Sequence, residues 1–171
     1  MTAASIRRAE TCDVATLAQL GARTFADTFG HLYPQADLVA FLEANHSPGA
    51  VEAMIRNPRY AAWLAEKDGE AIGYVLVGPC GLPHPEVTGA CGELKRIYLI
   101  RDRQGGGVGA RLMETGLAWL ESQGRRPIWI GVWSQNHGAQ RLYARAGFEK
   151  VGEYEFPVGT IRDQEFILRR A

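Results

Sequence analysis

The sequence is poor in the features that announce metal, disulfide or membrane chemistry. Its three cysteines, Cys12, Cys80 and Cys91, form an odd set without a CxxC pair, so neither a disulfide framework nor a thiolate metal cluster is indicated. The four histidines, His31, His46, His84 and His137, are scattered without HExxH or comparable ligand spacing, and no structural metal is expected. An excess of either charge is also lacking. Lys+Arg and Asp+Glu number 19 each, which leaves no overall field to recruit nucleic acid or an anionic membrane. No apolar run approaches the roughly 20 residues that span a bilayer. The stretch Met1 to Glu10 has neither the apolar core nor the small-residue cleavage site of a signal peptide. The expectation is a cytoplasmic protein with reduced thiols and no nucleic-acid or membrane partner.

What is present is an ordinary globular composition. Hydrophobic residues make up 46% and charged residues 22% of 171, enough for one domain over residues 1–171 with a sizeable core. A short strand is expected over Ser5–Ala9, then a helix after Asp13 with Val14, Leu17, Leu20 and Phe25 at helical spacing. Pro34–Ala44 reads as a second helix, and Ser47-Pro48 opens a third that ends near Asn57-Pro58. Tyr60–Ala65 and Ala71–Val77 are apolar runs joined across Asp68-Gly69, a strong hairpin signal. Gly78–Gly92 reads as a surface loop and Glu93–Ile100 as a strand. The stripe Val108, Leu112, Met113, Leu117 and Leu120 marks a helix over Gly107–Gln123. A buried strand over Pro127–Trp133, a short helix over Asn136–Ala146 closed by Gly147, and strands over Phe148–Phe156 and Gln164–Arg169 complete the chain. The pattern predicts a single α/β (α+β) domain, with a mixed, mostly antiparallel sheet flanked by helices.

The most informative segment is Gln104-Gly105-Gly106-Gly107-Val108-Gly109-Ala110, which follows a strand and opens a helix. Four glycines in five positions remove the side chains that would keep a ligand at a distance. The amides at a helix N-terminus have no partner within the helix and sit at its positive end, which suits a phosphate or pyrophosphate. A Walker A loop is excluded, because no Lys-Ser/Thr follows. Gly105, Gly107 and Ala110 literally satisfy the dinucleotide pattern GxGxxG/A. However, the acid that pattern requires about 20 positions on is missing from Trp129-Ile130-Gly131-Val132-Trp133.

Gln104-x-x-Gly107-x-Gly109 resembles the Q/R-x-x-G-x-G/A signature of the GNAT superfamily of N-acetyltransferases. Asn136-His137-Gly138-Ala139-Gln140-Arg141-Leu142-Tyr143-Ala144-Arg145-Ala146-Gly147-Phe148 resembles that superfamily's second motif, NxxAxxxYxxxGF. Glu93-Leu94-Lys95-Arg96-Ile97-Tyr98-Leu99, Gly131-Val132-Trp133 and the tail with Asp163-Gln164 are similar to PaiA-like members, which include spermidine/spermine acetyltransferases. The resemblance implies a GNAT-type domain that binds acetyl-CoA and passes its acetyl group directly to a primary amine, such as a polyamine or another small amine. It also allows a homodimer. A non-catalytic acyl-CoA sensor, or an acetylase of peptide or protein amines, stands as the alternative.

The resemblance further implies where the cofactor lies. The backbone of Ile97, Tyr98 and Leu99 would run along the pantetheine arm like an added strand. One N–H there, that of Leu99, would polarise the thioester carbonyl. Gln104, Gly105, Gly106, Gly107, Val108, Gly109 and Ala110 would cradle the diphosphate. Asn136 would reach the cofactor or cap its helix. Tyr143 would be the general acid that protonates the leaving thiolate, unless it only packs its helix on the sheet. Glu93, six residues before Leu99, would be the base that deprotonates the ammonium, unless a water chain does so. Trp129 and Trp133 share one strand face, and sheet packing is their default role. Arg141 and Arg145, one helical turn apart, meet phosphates or solvent. Asp27, Glu43, Glu153 and Glu155 are carboxylates that could draw in a cation.

Overall fold

The computed structural model describes residues 2–171. A seven-stranded sheet carries the molecule, with β1 (Ser5–Arg8), β2 (Ala61–Lys67), β3 (Glu70–Pro79), β4 (Gly92–Leu99), β5 (Ile128–Trp133), β6 (Glu149–Val158) and β7 (Ile161–Arg170). Its order is β1-β2-β3-β4-β5-β7-β6. Every neighbouring pair is antiparallel except β4 and β5. The mostly antiparallel sheet expected from sequence is therefore observed.

Five helices cover its faces: α1 (Val14–Phe29), α2 (Gln35–His46), α3 (Pro48–Arg56), α4 (Val108–Ser122) and α5 (His137–Arg145). Their starts follow local chemistry. Ser47 Oγ accepts from the Ala50 amide ahead of Pro48, as expected at the opening of α3. Asn136 Oδ1 accepts from the Ala139 amide and so caps α5. Asp13 departs from the expectation. It stands at the N-cap position of α1, but its carboxylate accepts from the Glu10 amide and the Arg7 guanidinium instead. The charge-assisted pair with Arg7 wins over a single cap bond. The β2–β3 turn places Asp68 and Gly69 at φ 52° and 81°, the paired positive values that a two-residue hairpin demands.

The core has two main layers. On one sheet face Leu112, Met113, Leu117 and Leu120 of α4 pack with Val75, Val77, Ile128, Ile130 and Tyr143. On the other, Leu17, Ala18 and Leu20 of α1 and Val51 of α3 pack on Ala62, Leu64, Tyr74 and Leu76. A further aromatic cluster joins Phe25, Leu38 and Val158, tying α1 and α2 to the β6–β7 hairpin. The same connection is clasped by Tyr33 donating to Asp163, and by Thr160 donating its amide and hydroxyl to Asp37.

One feature of the sheet positions everything functional. β4 and β5 pair only at Gly92↔Ile128 and Glu93↔Trp129, and then part. From Leu94 onward the β5-facing edge of β4 has no strand partner, while its other edge stays paired to β3 as far as Gly73↔Leu99. A sheet edge with free backbone groups thus opens in the middle of the fold.

Candidate functional site

A cavity of about 700 Å³ occupies this parting and extends from the glycine turn to α1. Its walls include Ile97, Tyr98 and Leu99 of β4, Gly131 and Trp133 of β5, Asn136 and Tyr143 of the α5 segment, and Gln104, Gly105, Gly107, Gly109 and Ala110. Most residues singled out from the sequence therefore meet around one space. Gly106 and Val108 belong to the same turn, with Val108 buried beneath it.

The turn has a geometry only glycine adopts freely. Gly105, Gly106 and Gly107 lie at φ 88°, 64° and 77°, in the left-handed region that costs other residues about 1 kcal/mol or more. A Cβ at any of them, or at Gly109, would meet no other atom within 4 Å. Packing therefore does not require glycine here; the left-handed backbone does at Gly105 to Gly107, and the space above the turn is left open. Helix α4 begins at this turn with no side chain capping it, whereas α3 and α5 are capped by Ser47 and Asn136. Its first-turn amides are left for an external acceptor at the positive end of a 15-residue helix. A diphosphate fits that arrangement in charge and in hydrogen-bonding sense.

Tyr143 is 5% exposed and lines the cavity. Burial, and then the negative charge of Glu165, push its phenol above the usual range; the hydroxyl, protonated at neutral pH like any phenol, faces the cavity as a donor. Asn136 both caps α5 and borders the cavity, so its two expected locations coincide. Arg145 borders the cavity, whereas Arg141 and His137 are exposed away from its lining. Trp129 and Trp133 do share a face. Trp129 is fully buried against His84, and Trp133 meets Phe29 edge-on with ring centres 5.9 Å apart.

Glu93 is 9% exposed and faces the cavity. Its Oε2 accepts from the Gly81 amide and from Lys95 Nζ, both at 2.9 Å. The other acidic residues of the cavity were not anticipated. Asp27, Glu43, Glu153 and Glu155 are exposed and absent from its lining, and Glu153 binds Lys150. Asp163 and Glu165 of β7 line the cavity in their place. The available signal was the alternation along β7, where Arg162 and Gln164 face solvent and Asp163 and Glu165 point inward. Aromatic rings of Phe25, Phe29, Tyr33, Tyr98, Trp133 and Phe156 surround these carboxylates. Such a chamber suits a cation with an apolar body.

No group of three or more His, Cys, Asp or Glu among the described residues could hold a metal ion. No described helix is long and apolar enough to cross a membrane.

A family model described as the acetyltransferase (GNAT) family matches residues 22–148. Over its whole length the chain is 30% identical to an uncharacterised N-acetyltransferase of Lactobacillus delbrueckii subsp. lactis, covering 99% of that protein. It is 29% identical to an uncharacterised N-acetyltransferase of Mycobacterium tuberculosis, over 92% of this chain and 97% of the other. The fold is similar to the crystal structure of the PaiA N-acetyltransferase from Thermoplasma acidophilum in complex with coenzyme A, with TM-score 0.78, 18% identity and 99% of each chain covered. It is also similar to the ribosomal-protein-S18-alanine N-acetyltransferase from Escherichia coli, with TM-score 0.70, 20% identity, and 98% and 93% of the two chains covered.

Proposed function

From the premise that this chain belongs to the acetyltransferase (GNAT) family and is an acyl-CoA-dependent N-acetyltransferase, we propose that it acetylates a small cationic amine in the chamber between β4, β5 and α1. The observation that carries this reading is the meeting, in one cavity, of an uncapped glycine turn at one end and a carboxylate-and-aromatic chamber at the other. A polyamine, or an amine on a short apolar body, matches that chamber in charge and surface. The name of the Thermoplasma relative points to the PaiA-like group, which agrees with the choice.

In this reading the amides of Gly105 to Ala110 hold the diphosphate of acetyl-CoA. The free edge of β4 at Ile97, Tyr98 and Leu99 pairs with the pantetheine amides, and the Leu99 N–H polarises the thioester carbonyl. Tyr143, which lines the cavity with its phenol protonated at neutral pH, donates to the departing thiolate. Carboxylates on the acceptor side neutralise the incoming ammonium and take its proton. Glu93 is the one the sequence pointed to.

A thiol-release assay with acetyl-CoA against polyamines, arylalkylamines, aminoglycosides, amino acids and N-terminal peptides tests the proposal. Turnover is expected with small cationic amines and not with anionic ones. Coenzyme A at 100 times its dissociation constant should stabilise the fold by about 2.7 kcal/mol. Stabilisation by coenzyme A without turnover on any amine would favour a sensor, and stabilisation by NAD alone would overturn the cofactor assignment.

A further inference from the structure

Glu165 lies where three strands meet in register. Trp133 of β5 and Tyr154 of β6 are both its cross-strand partners, so all three side chains project from the same sheet face into the chamber. Gly131, two residues before Trp133, makes the room. A Cβ there would stand 2.8 Å from Tyr154 Oη and 3.4 Å from Glu165 Oε2. The carboxylate is partly buried, lines the cavity and, among the described residues, has a single hydrogen-bond partner, the Tyr154 hydroxyl, which donates to Oε2 at 2.7 Å. Among the described residues no Lys, Arg or His forms an ion pair with it.

Among the other cavity carboxylates, Glu93 Oε2 is held by Gly81 and Lys95, whereas Asp163, like Glu165, accepts from one tyrosine, Tyr33. It is the charge of Glu165 that the Tyr143 phenol feels. The titratable groups around Glu165 are Asp163 on its own strand, Glu93 on β4, and the phenols of Tyr33, Tyr98, Tyr143 and Tyr154. Two cations of β4 also line the cavity: Lys95 is paired with Glu93, and Arg96 donates to the Asn45 carbonyl and stands beside His46.

Resting on the acetyl-transfer reading, we propose that Glu165, rather than Glu93, accepts the proton of the substrate ammonium. A partly buried carboxylate without a cationic partner both attracts a cation and gains from being neutralised by its proton. Burial first, and then the charges of Asp163 and Glu93, hold its carboxyl above the usual range, against the opposing Tyr154 hydrogen bond. That shift brings it nearer the working pH of an effective base. Protons balance as follows. One N–H proton passes to Glu165 and on to solvent, which frees the lone pair that forms the C–N bond as the C–S bond breaks. The second, released by nitrogen as the amide forms, replaces the proton that Tyr143 gives to sulfur. Glu93, tied to Lys95, serves as a positioning residue for the ammonium.

The test compares wild type with Glu165→Gln, Glu165→Asp and Glu93→Gln, using the best amine of the panel across pH. Glu165→Gln is expected to lower kcat at least about 100-fold. It should abolish the ascending limb of kcat/KM and leave the thermal shift with coenzyme A intact. Glu165→Asp should keep that limb at reduced kcat, and Glu93→Gln should mainly raise the KM for the amine. A readout independent of turnover accompanies these. The folded-state proton affinity of Glu165 is raised, so its ionised form weakens the native state as pH climbs above the ordinary carboxylate range. Glu165→Gln should therefore melt higher than wild type at about pH 8, with the gain vanishing towards about pH 4. Wild-type kcat and ascending limb in Glu165→Gln, or loss of that limb in Glu93→Gln, would overturn the inference while the acetyl-transfer reading stands. Absence of wild-type turnover on every amine would bring down that reading, and this inference with it.

Discussion

Tyr143 offers the cleanest separation of chemistry from binding. Its ring packs against Phe148, with centres 6.3 Å apart, so Tyr143→Phe preserves the packing and removes one hydroxyl. Turnover should drop about 100-fold or more in steady-state kinetics, while the thermal shift produced by coenzyme A stays at the wild-type value. An unchanged kcat would remove Tyr143 from the acid role. This residue was legible in the sequence because its motif is local: Asn136, Tyr143 and Gly147 are read within a dozen positions. Glu165 was not. Its environment is assembled by Trp133 and Gly131 of β5 and Tyr154 of β6, two strands other than its own, and no local pattern encodes that meeting. Asp27, Glu43, Glu153 and Glu155 are exposed and outside the cavity, whereas the acid proposed as base lies on the inward side of an alternating strand.

Among elements, α4 bears the greatest constraint. Its opening turn runs through three consecutive left-handed glycines. Gly107→Val should strain the backbone and fill the space above it, abolishing stabilisation by coenzyme A in a thermal-shift assay. The far-ultraviolet circular dichroism should remain, because no other protein atom lies within 4 Å of the new Cβ. Nine residues on, Gly116 lets the same helix settle onto β3. A Cβ there would stand 2.8 Å from Val77 Cγ1 and 3.3 Å from Val75 Cγ2. Gly116→Ala should gain about 1 kcal/mol of helix propensity and lose more to overpacking, about 1–3 kcal/mol, for a net loss measurable by urea denaturation. The caps of α3 and α5, the β2–β3 hairpin and the glycine turn are legible because such residues act over a few positions, whereas the Asp13 cap is lost to a pairing with Arg7 of β1. The C-terminal hairpin is longer than the strands Phe148–Phe156 and Gln164–Arg169 expected from the sequence, and it runs through Pro157. β6 is an edge strand, where proline is tolerated, so pairing continues to Val158↔Ile161 around a turn with Gly159 at φ 57°.

For the molecule as a whole, pH acts through buried groups of opposite sign. His46, 4% exposed beneath α1 and beside Tyr98, has Nδ1 3.5 Å from Arg96 Nη1. Burial first, and then the Arg96 charge, push its pKa down to about 3. The unfolded chain therefore takes up a proton near its ordinary value of about 6.5 that the native state refuses. Stability from this site is complete above that value and is lost as pH falls towards about 3. Asp13 and Asp37, both held below the usual carboxylate range, withdraw their contributions only at still more acidic pH. Melting temperature should rise between about pH 4.5 and 6.5, and His46→Gln should flatten that rise. The comparison is sharpest in a Glu165→Gln background, which lacks the opposing slope. Finally, two residue pairs, Gly92↔Ile128 and Glu93↔Trp129, are all the ladder that unites a four-stranded block with a three-stranded one. Such a seam is a natural line of weakness, and whatever is clamped between the blocks doubles as a rivet. Amide deuteration along β4 and β5 should consequently slow together when coenzyme A is added, so that occupancy can be followed as rigidity before any product forms.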